Sequence, residues 1–277
     1  MGLLSFFILW LAKAKGYFVL PFEKQAAFGP SLISLGIFFS IYLVVSLLFG
    51  PLLMYLFHFA YAKEHPGFSL PIAAAGGIQL VVIGCIFLLF FLYARSEDPI
   101  LFKKIWKNKS APNALPIRYD IAMGILTWFI AFPLVALIGE ISDMLLYVFC
   151  GLQNYEQVAV RYLKSNLVSL ETMIIPLFII LFAAPAIEEF LFRGLLQSFF
   201  KKHMEIKKAI ALSSLCFALF HFSPSQGIGN ISLLVSLFTF ALFLGFIYER
   251  QSSLFASLAT HITFNTFSTV RILFFPE

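Results

Sequence analysis

The chain reads as long apolar runs separated by short polar breaks. Runs of about 20 apolar residues, the length that crosses a hydrocarbon core, fall at 31–60, 71–94, 119–149, 170–192, 208–223, 230–249 and 253–273. They predict an all-α, polytopic membrane helix bundle of seven transmembrane helices. An extra or re-entrant segment in either long run, 31–60 or 119–149, would make eight. The first of these contains Gly50-Pro51, where a long helix kinks or tilts, and the other carries Glu140 and Asp143 toward its end. Those two acids, with Glu171, fall near the predicted outer boundary and read as interfacial. Residues 2–12 are apolar as well, but no basic residue precedes them and Lys13 and Lys15 follow directly. That stretch suits an interfacial segment rather than a cleaved signal peptide.

Composition agrees with the pattern. Of 277 residues, 61% are hydrophobic, 18% aromatic and 12% charged, and the mean hydropathy is +0.93, which excludes a soluble globular domain. The formal charge of +5 does not point to nucleic acid, because the Lys and Arg residues gather in the breaks, where membrane topology uses them. Lys13, Lys15 and Lys24 precede the first run, the break from Arg95 to Arg118 holds six, and Arg193 to Lys208 holds five. With seven spans, these breaks and Arg250 lie on one side, leaving Lys63, Arg161, Lys164 and Arg271 on the other. The excess predicts a cytoplasmic N-terminus and an outside C-terminus in the cell membrane. The Arg95–Arg118 connection, with Pro99, Pro112 and Pro116, reads as a topology signal against anionic headgroups, with lipid or substrate recognition as the other reading. Cys85, Cys150 and Cys216 are odd in number, lie in apolar stretches and lack metal-type spacing, so neither a disulfide framework nor a thiolate zinc site is expected. No repeat or long linker divides the chain, which predicts one integral membrane domain over 1–277.

The chemistry gathers in the second half. In APAIEEFLFRGLLQ, residues 184–197, two carboxylates and an arginine sit inside one of the most apolar segments. An ionisable group in hydrocarbon costs roughly 2.5–3.5 kcal/mol even on lenient scales, so it marks a functional site with a partner to be named. On a helix, Glu189 and Arg193 share a face and can pair, while Glu188 points about 100° away. His221, His261 and Asn265 are likewise polar residues in apolar runs. Counted along their helices from the nearest basic boundary, Glu188, His221 and His261 all lie roughly 16–20 Å deep, so they can meet at one level. His261 and Asn265, at i and i+4, address one point. After His221 the stretch FSPSQGIGN breaks the helix, and irregular backbone at membrane depth is tolerated where protein buries it or it lines a cavity. Peptide hydrolysis needs a base for water, an acid for the leaving amine and donors for the oxyanion. Glu188 with His221 can serve the water and His261 with Asn265 the oxyanion, while Glu189 and Arg193 form a supporting pair. Phe217, four residues before His221, can wall the same cavity.

EEFLFRG at 188–194 matches an EExxxR motif, FALFH at 217–221 matches FxxxH, and HITFN at 261–265 matches HxxxN, in order and in separate apolar segments. The chain resembles the CPBP family of intramembrane proteases, the CAAX proteases and bacteriocin-processing enzymes also called the Abi family. The resemblance covers about residues 170–270 and implies a multi-helix membrane endopeptidase whose cavity opens toward the cytosol, with residue roles like those above. The expected substrate is a membrane-associated protein or peptide, of the CAAX type or of the bacteriocin or leader type. Two mechanisms stay open. A glutamate-dependent one needs no cofactor and is preferred; a zinc enzyme would use Glu188, His221 and His261 as a His₂Glu ligand set. Readings from other classes are a non-catalytic immunity or scaffold protein of the same fold and a transporter, the latter disfavoured by the lack of an inverted repeat.

Overall fold

The computed structural model describes residues 2–20, 28–67, 71–111, 114–151, 160–161, 164 and 170–274, with no side-chain description for 170 and 171. Lys24, Pro112 and the Glu171 side chain, which entered the topology reading, lie outside the described residues. Among the described residues the architecture is all-helical, interrupted only by turns and by one isolated bridge between Lys107 and Ser253.

Nine labelled helices follow in chain order. They are α1 Gly2–Ala14, α2 Leu32–Glu64, α3 Ile72–Glu97, α4 Pro99–Trp106, α5 Ile117–Cys150, α6 Thr172–Lys201, α7 Ile206–Phe220, α8 Asn230–Gln251 and α9 Leu254–Phe274. Among the described residues five segments are long and apolar enough to cross a membrane: α2, α3, α5, α6, and α8 with the turn before it, Pro224–Gln251. The chain is therefore an integral membrane protein. The other two expected spans exist as helices but fall short by those measures. α7 has 15 residues, about 22 Å at 1.5 Å per residue, against a hydrocarbon core of about 30 Å. α9 has 21 residues, but its Thr, Ser, His and Asn positions dilute the hydropathy.

Two helices depart from α geometry for readable reasons. The Gly50-Pro51 position of α2 follows a π-turn at Val45–Phe49, so the long run bends its ladder there rather than breaking into two spans. Helix α6 contains two π-segments, Ile179–Ala183 and Phe190–Gln197, on either side of the carboxylate pair. The segment α1 packs along α5: Ser5 Oγ donates to the Pro133 carbonyl at 2.8 Å, and Ala12 and Tyr17 join Ile130, Ala131 and Phe243 in a small core.

The main core is aromatic. Phe38 of α2 is fully buried and takes edge contacts at 5.2–5.4 Å from Phe90 of α3, Phe102 of α4 and Phe190 of α6, a geometry that aromatic quadrupoles favour. On the other side α5 meets α9 backbone to backbone at Gly124, where any Cβ would run into the Ala256 carbonyl. Thr260 Oγ1 donates to the Gly124 carbonyl there at 2.8 Å. Small residues permit this close approach in membranes, and hydroxyls secure it.

Candidate active site

The site lies where α6, α7 and α9 converge. The pair expected from the i, i+4 spacing forms: Arg193 Nη1 lies 3.2 Å from Glu189 Oε1, and both side chains are almost fully buried. Arg193 also reaches the Ala241 carbonyl of α8 at 3.5 Å and stacks its guanidinium 4.2 Å over the Phe217 ring. The wide π-turn at Phe190–Gln197 leaves backbone acceptors to be met from outside, and Ser213 Oγ of α7 donates to the Phe192 carbonyl at 2.8 Å.

Glu189 has a second partner. Its Oε1 accepts from His261 Nδ1 at 2.8 Å, so one buried carboxylate joins α6 to α9 and orients the imidazole. The His261 ring is held between the edges of Phe217 at 6.0 Å and Phe240 at 5.6 Å. His221 follows the last residue of α7, as its C-cap, and its Nδ1 lies 2.8 Å from the Phe217 carbonyl. A carbonyl only accepts, so this Nδ1 carries the proton. The same logic applies to His261 against the Arg-paired carboxylate. In both rings Nε2 faces the third group.

That group is Glu188. Its Oε2 lies 3.9 Å from His221 Nε2 and 3.8 Å from His261 Nε2, and its side chain is 19% exposed. These gaps are too long for direct hydrogen bonds and of a size that a bridging water spans. One carboxylate and two imidazole nitrogens thus face one gap, and a carboxylate so placed can take a proton from water. Thus the structure brings Glu188, Glu189, Arg193, His221 and His261 together. Asn265 stands apart from them in its bonding: its Nδ2 donates to the Ile180 carbonyl at 2.9 Å. The π-turn explains why. Ala184 N–H bonds back five residues to Ile179, and the next rung would need the N–H that Pro185 lacks, so Ile180 O is left for Asn265.

The break after His221 is built rather than loose. Asn230 accepts from Ser223 N at 3.0 Å and donates to the Ser223 and Gly227 carbonyls at 2.7 and 2.8 Å, which satisfies irregular backbone at membrane depth. One neighbour escaped the sequence reading. Tyr42 of α2 packs on Phe220 at 5.6 Å and lies within range of the Glu188 charge; it sits in the half of the chain whose sequence carried only hydropathy. Among the described residues, no group of three or more His, Cys, Asp or Glu has the spacing of a metal site.

The family model described as Rce1-like, type II CAAX prenyl endopeptidase, matches residues 170–267, a stretch that contains all six residues of the expected site. Neither the search of curated proteins nor that of solved structures found a match.

Proposed function

We propose that the chain is an intramembrane endopeptidase hydrolysing a peptide bond in a membrane-associated protein or peptide, with a CAAX-type substrate favoured by the match of residues 170–267 to the Rce1-like family model of type II CAAX prenyl endopeptidases. The observation that carries the residue assignment is the Glu188 carboxylate facing two imidazole Nε2 atoms across gaps of 3.8–3.9 Å.

Water in the gap between Glu188 and His221 gives a proton to Glu188 as its oxygen attacks the scissile carbonyl carbon. The oxyanion that forms takes hydrogen bonds from His261, protonated at Nε2, and from the Asn265 N–H not spent on Ile180. Glu189, held by Arg193, accepts from His261 Nδ1 and orients the ring. Collapse of the tetrahedral intermediate breaks the C–N bond as the proton held by Glu188 passes, directly or through His221, to the leaving amine. This mechanism uses no cofactor. A zinc ion would take Glu188, His221 and His261 as ligands and polarise the carbonyl. The distribution of Lys and Arg supports an N-terminus in the cytoplasm with seven crossings, and we read the chain as a single domain in the cell membrane.

The test is cleavage of lipidated and unlipidated peptides by purified protein, wild type against Glu188→Gln, with and without phenanthroline. Loss of a general base lowers the rate by about 10²–10⁴-fold, and the metal-free route predicts indifference to chelator. Chelator inhibition reversed by zinc would move the three residues to a metal. Unchanged cleavage in Glu188→Gln would remove Glu188 from the chemistry.

A further inference from the structure

Behind the active-site helix lies a second hollow. A cavity of about 1070 Å³ opens between α3, α4, the start of α5, α6 and the first turn of α9. It exceeds the span of about 300–1,000 Å³ usual for small-molecule pockets. Phe90, Phe102, Trp106 and Phe190 wall its inner end. The rim is cationic: Arg95, Lys103, Lys104 and Lys109 line it and are exposed. Lys107 lines it too, but is spent on Asp120 at 2.6 Å. Among the described residues the other four have no ion-pair partner, and no Asp or Glu lines the cavity. Of the two acids that follow Arg95, Glu97 is exposed at the end of α3 and does not line the cavity, and Asp98 is turned into the cap of α4, accepting from the Ile100 and Leu101 amides at 3.0 Å.

The short helix α4 creates this arrangement. Phe102 and Ile105 are buried while Lys103 and Lys104 are exposed, as on a helix lying in an interface with its cations at headgroup level. The cavity is separate from the chemistry. Ala186, Ile187 and Phe190 of α6 line it, whereas Glu188 turns to the other side of that helix, toward the two histidines.

We propose that this cavity binds an anionic phospholipid, its acyl chain against the aromatic wall and its phosphate among Arg95, Lys103, Lys104 and Lys109. Charge complementarity selects the occupant. A neutral lipid makes no use of four unpaired cations, and a soluble anion makes no use of an aromatic wall. A bound lipid would pack against the residues flanking Glu188 without touching the reacting atoms.

Trp106 reports occupancy directly. A variant with Trp10→Phe and Trp128→Phe, reconstituted in phosphatidylcholine, keeps this tryptophan alone. Brominated-chain phosphatidylglycerol should quench it about fivefold more effectively than the same minor fraction of brominated phosphatidylcholine, the scale of one well-placed cation near a lipid surface. Replacing Arg95, Lys103 and Lys104 together by Gln should abolish the preference while leaving quenching by brominated phosphatidylcholine unchanged. Should the single-tryptophan variant fail to fold, phospholipid retained by otherwise native protein purified in detergent gives the same comparison, with the anionic class enriched and the enrichment lost in the triple variant. Equal quenching by both lipids, or a preference that survives the triple variant, overturns the proposal. Abolition by inorganic phosphate in the bath would assign the rim to a free anion and overturn the lipid. None of these readouts needs peptide cleavage, so they stand apart from the protease reading.

Discussion

Glu188 and Glu189 are neighbours in sequence and opposite in circumstance. Glu189 is buried, paired with a buried arginine and bonded to His261, whereas Glu188 is partly exposed and lies beside the two imidazoles without a direct hydrogen bond to either. Removing the Glu189 charge strands Arg193, and breaking a buried pair from one side costs about 3–5 kcal/mol. Removing the Glu188 charge strands nothing, and such changes usually stay within about 0.5 kcal/mol. Glu189→Gln should therefore lower thermal stability in detergent markedly and lose activity with it. Glu188→Gln should melt like wild type and be inactive. Equal destabilisation by the two would make Glu188 a structural residue. The pairing of Glu189 with Arg193 was legible from spacing alone, because i, i+4 is a property of the helix. The second bond of Glu189, to His261, was not, since it depends on how α9 packs.

At the scale of the element, the carboxylates are set by two π-segments in α6, and the first depends on α9 to hold it. Asn265 supplies the donor that Pro185 withholds from Ile180 O. Asn265→Ala should orphan that carbonyl at a cost of about 1–3 kcal/mol. Pro185→Ala restores a backbone N–H to the same rung, so the double variant should be less destabilised than the two single changes summed, with a coupling of at least about 0.5 kcal/mol. Thermal unfolding of the four proteins measures it, and strict additivity would refute the latch. Cleavage assays on the same set separate positioning from chemistry, because an oxyanion donor is not replaced by a backbone amide elsewhere. The sequence placed Asn265 on the face of His261, yet its bond to Ile180 was hidden. Proline and asparagine are visible as letters, but the π register that joins them is a backbone property without a pattern of apolar positions. The same limit kept Tyr42 out of view, since α2 is apolar around most of its surface and offers no stripe to read.

For the whole molecule, hydropathy announced a membrane bundle but overstated its uniformity. The α7 helix stops at Phe220, with His221 partly buried as its C-cap, and α9 trades hydropathy for Thr260, His261 and Asn265, each of which bonds to a neighbouring helix. Both depart from an ordinary span, so the number of crossings has to come from topology rather than length. The native cysteines test it. In the predicted orientation the C-terminal end of α5 faces outward, and Cys150 there is exposed, whereas Cys85 and Cys216 lie partly buried within their helices. With Cys85 and Cys216 replaced by Ala, a membrane-impermeant maleimide should label Cys150 on intact cells. A Lys104→Cys variant that also lacks Cys150 should label only after permeabilisation, because α4 and its cations belong on the side that holds most of the Lys and Arg. Labelling of position 104 on intact cells, with Cys150 silent until permeabilisation, would invert the bundle. It would also set the partly exposed face of Glu188 toward the opposite compartment, moving the search for substrates away from proteins anchored to the cytoplasmic leaflet.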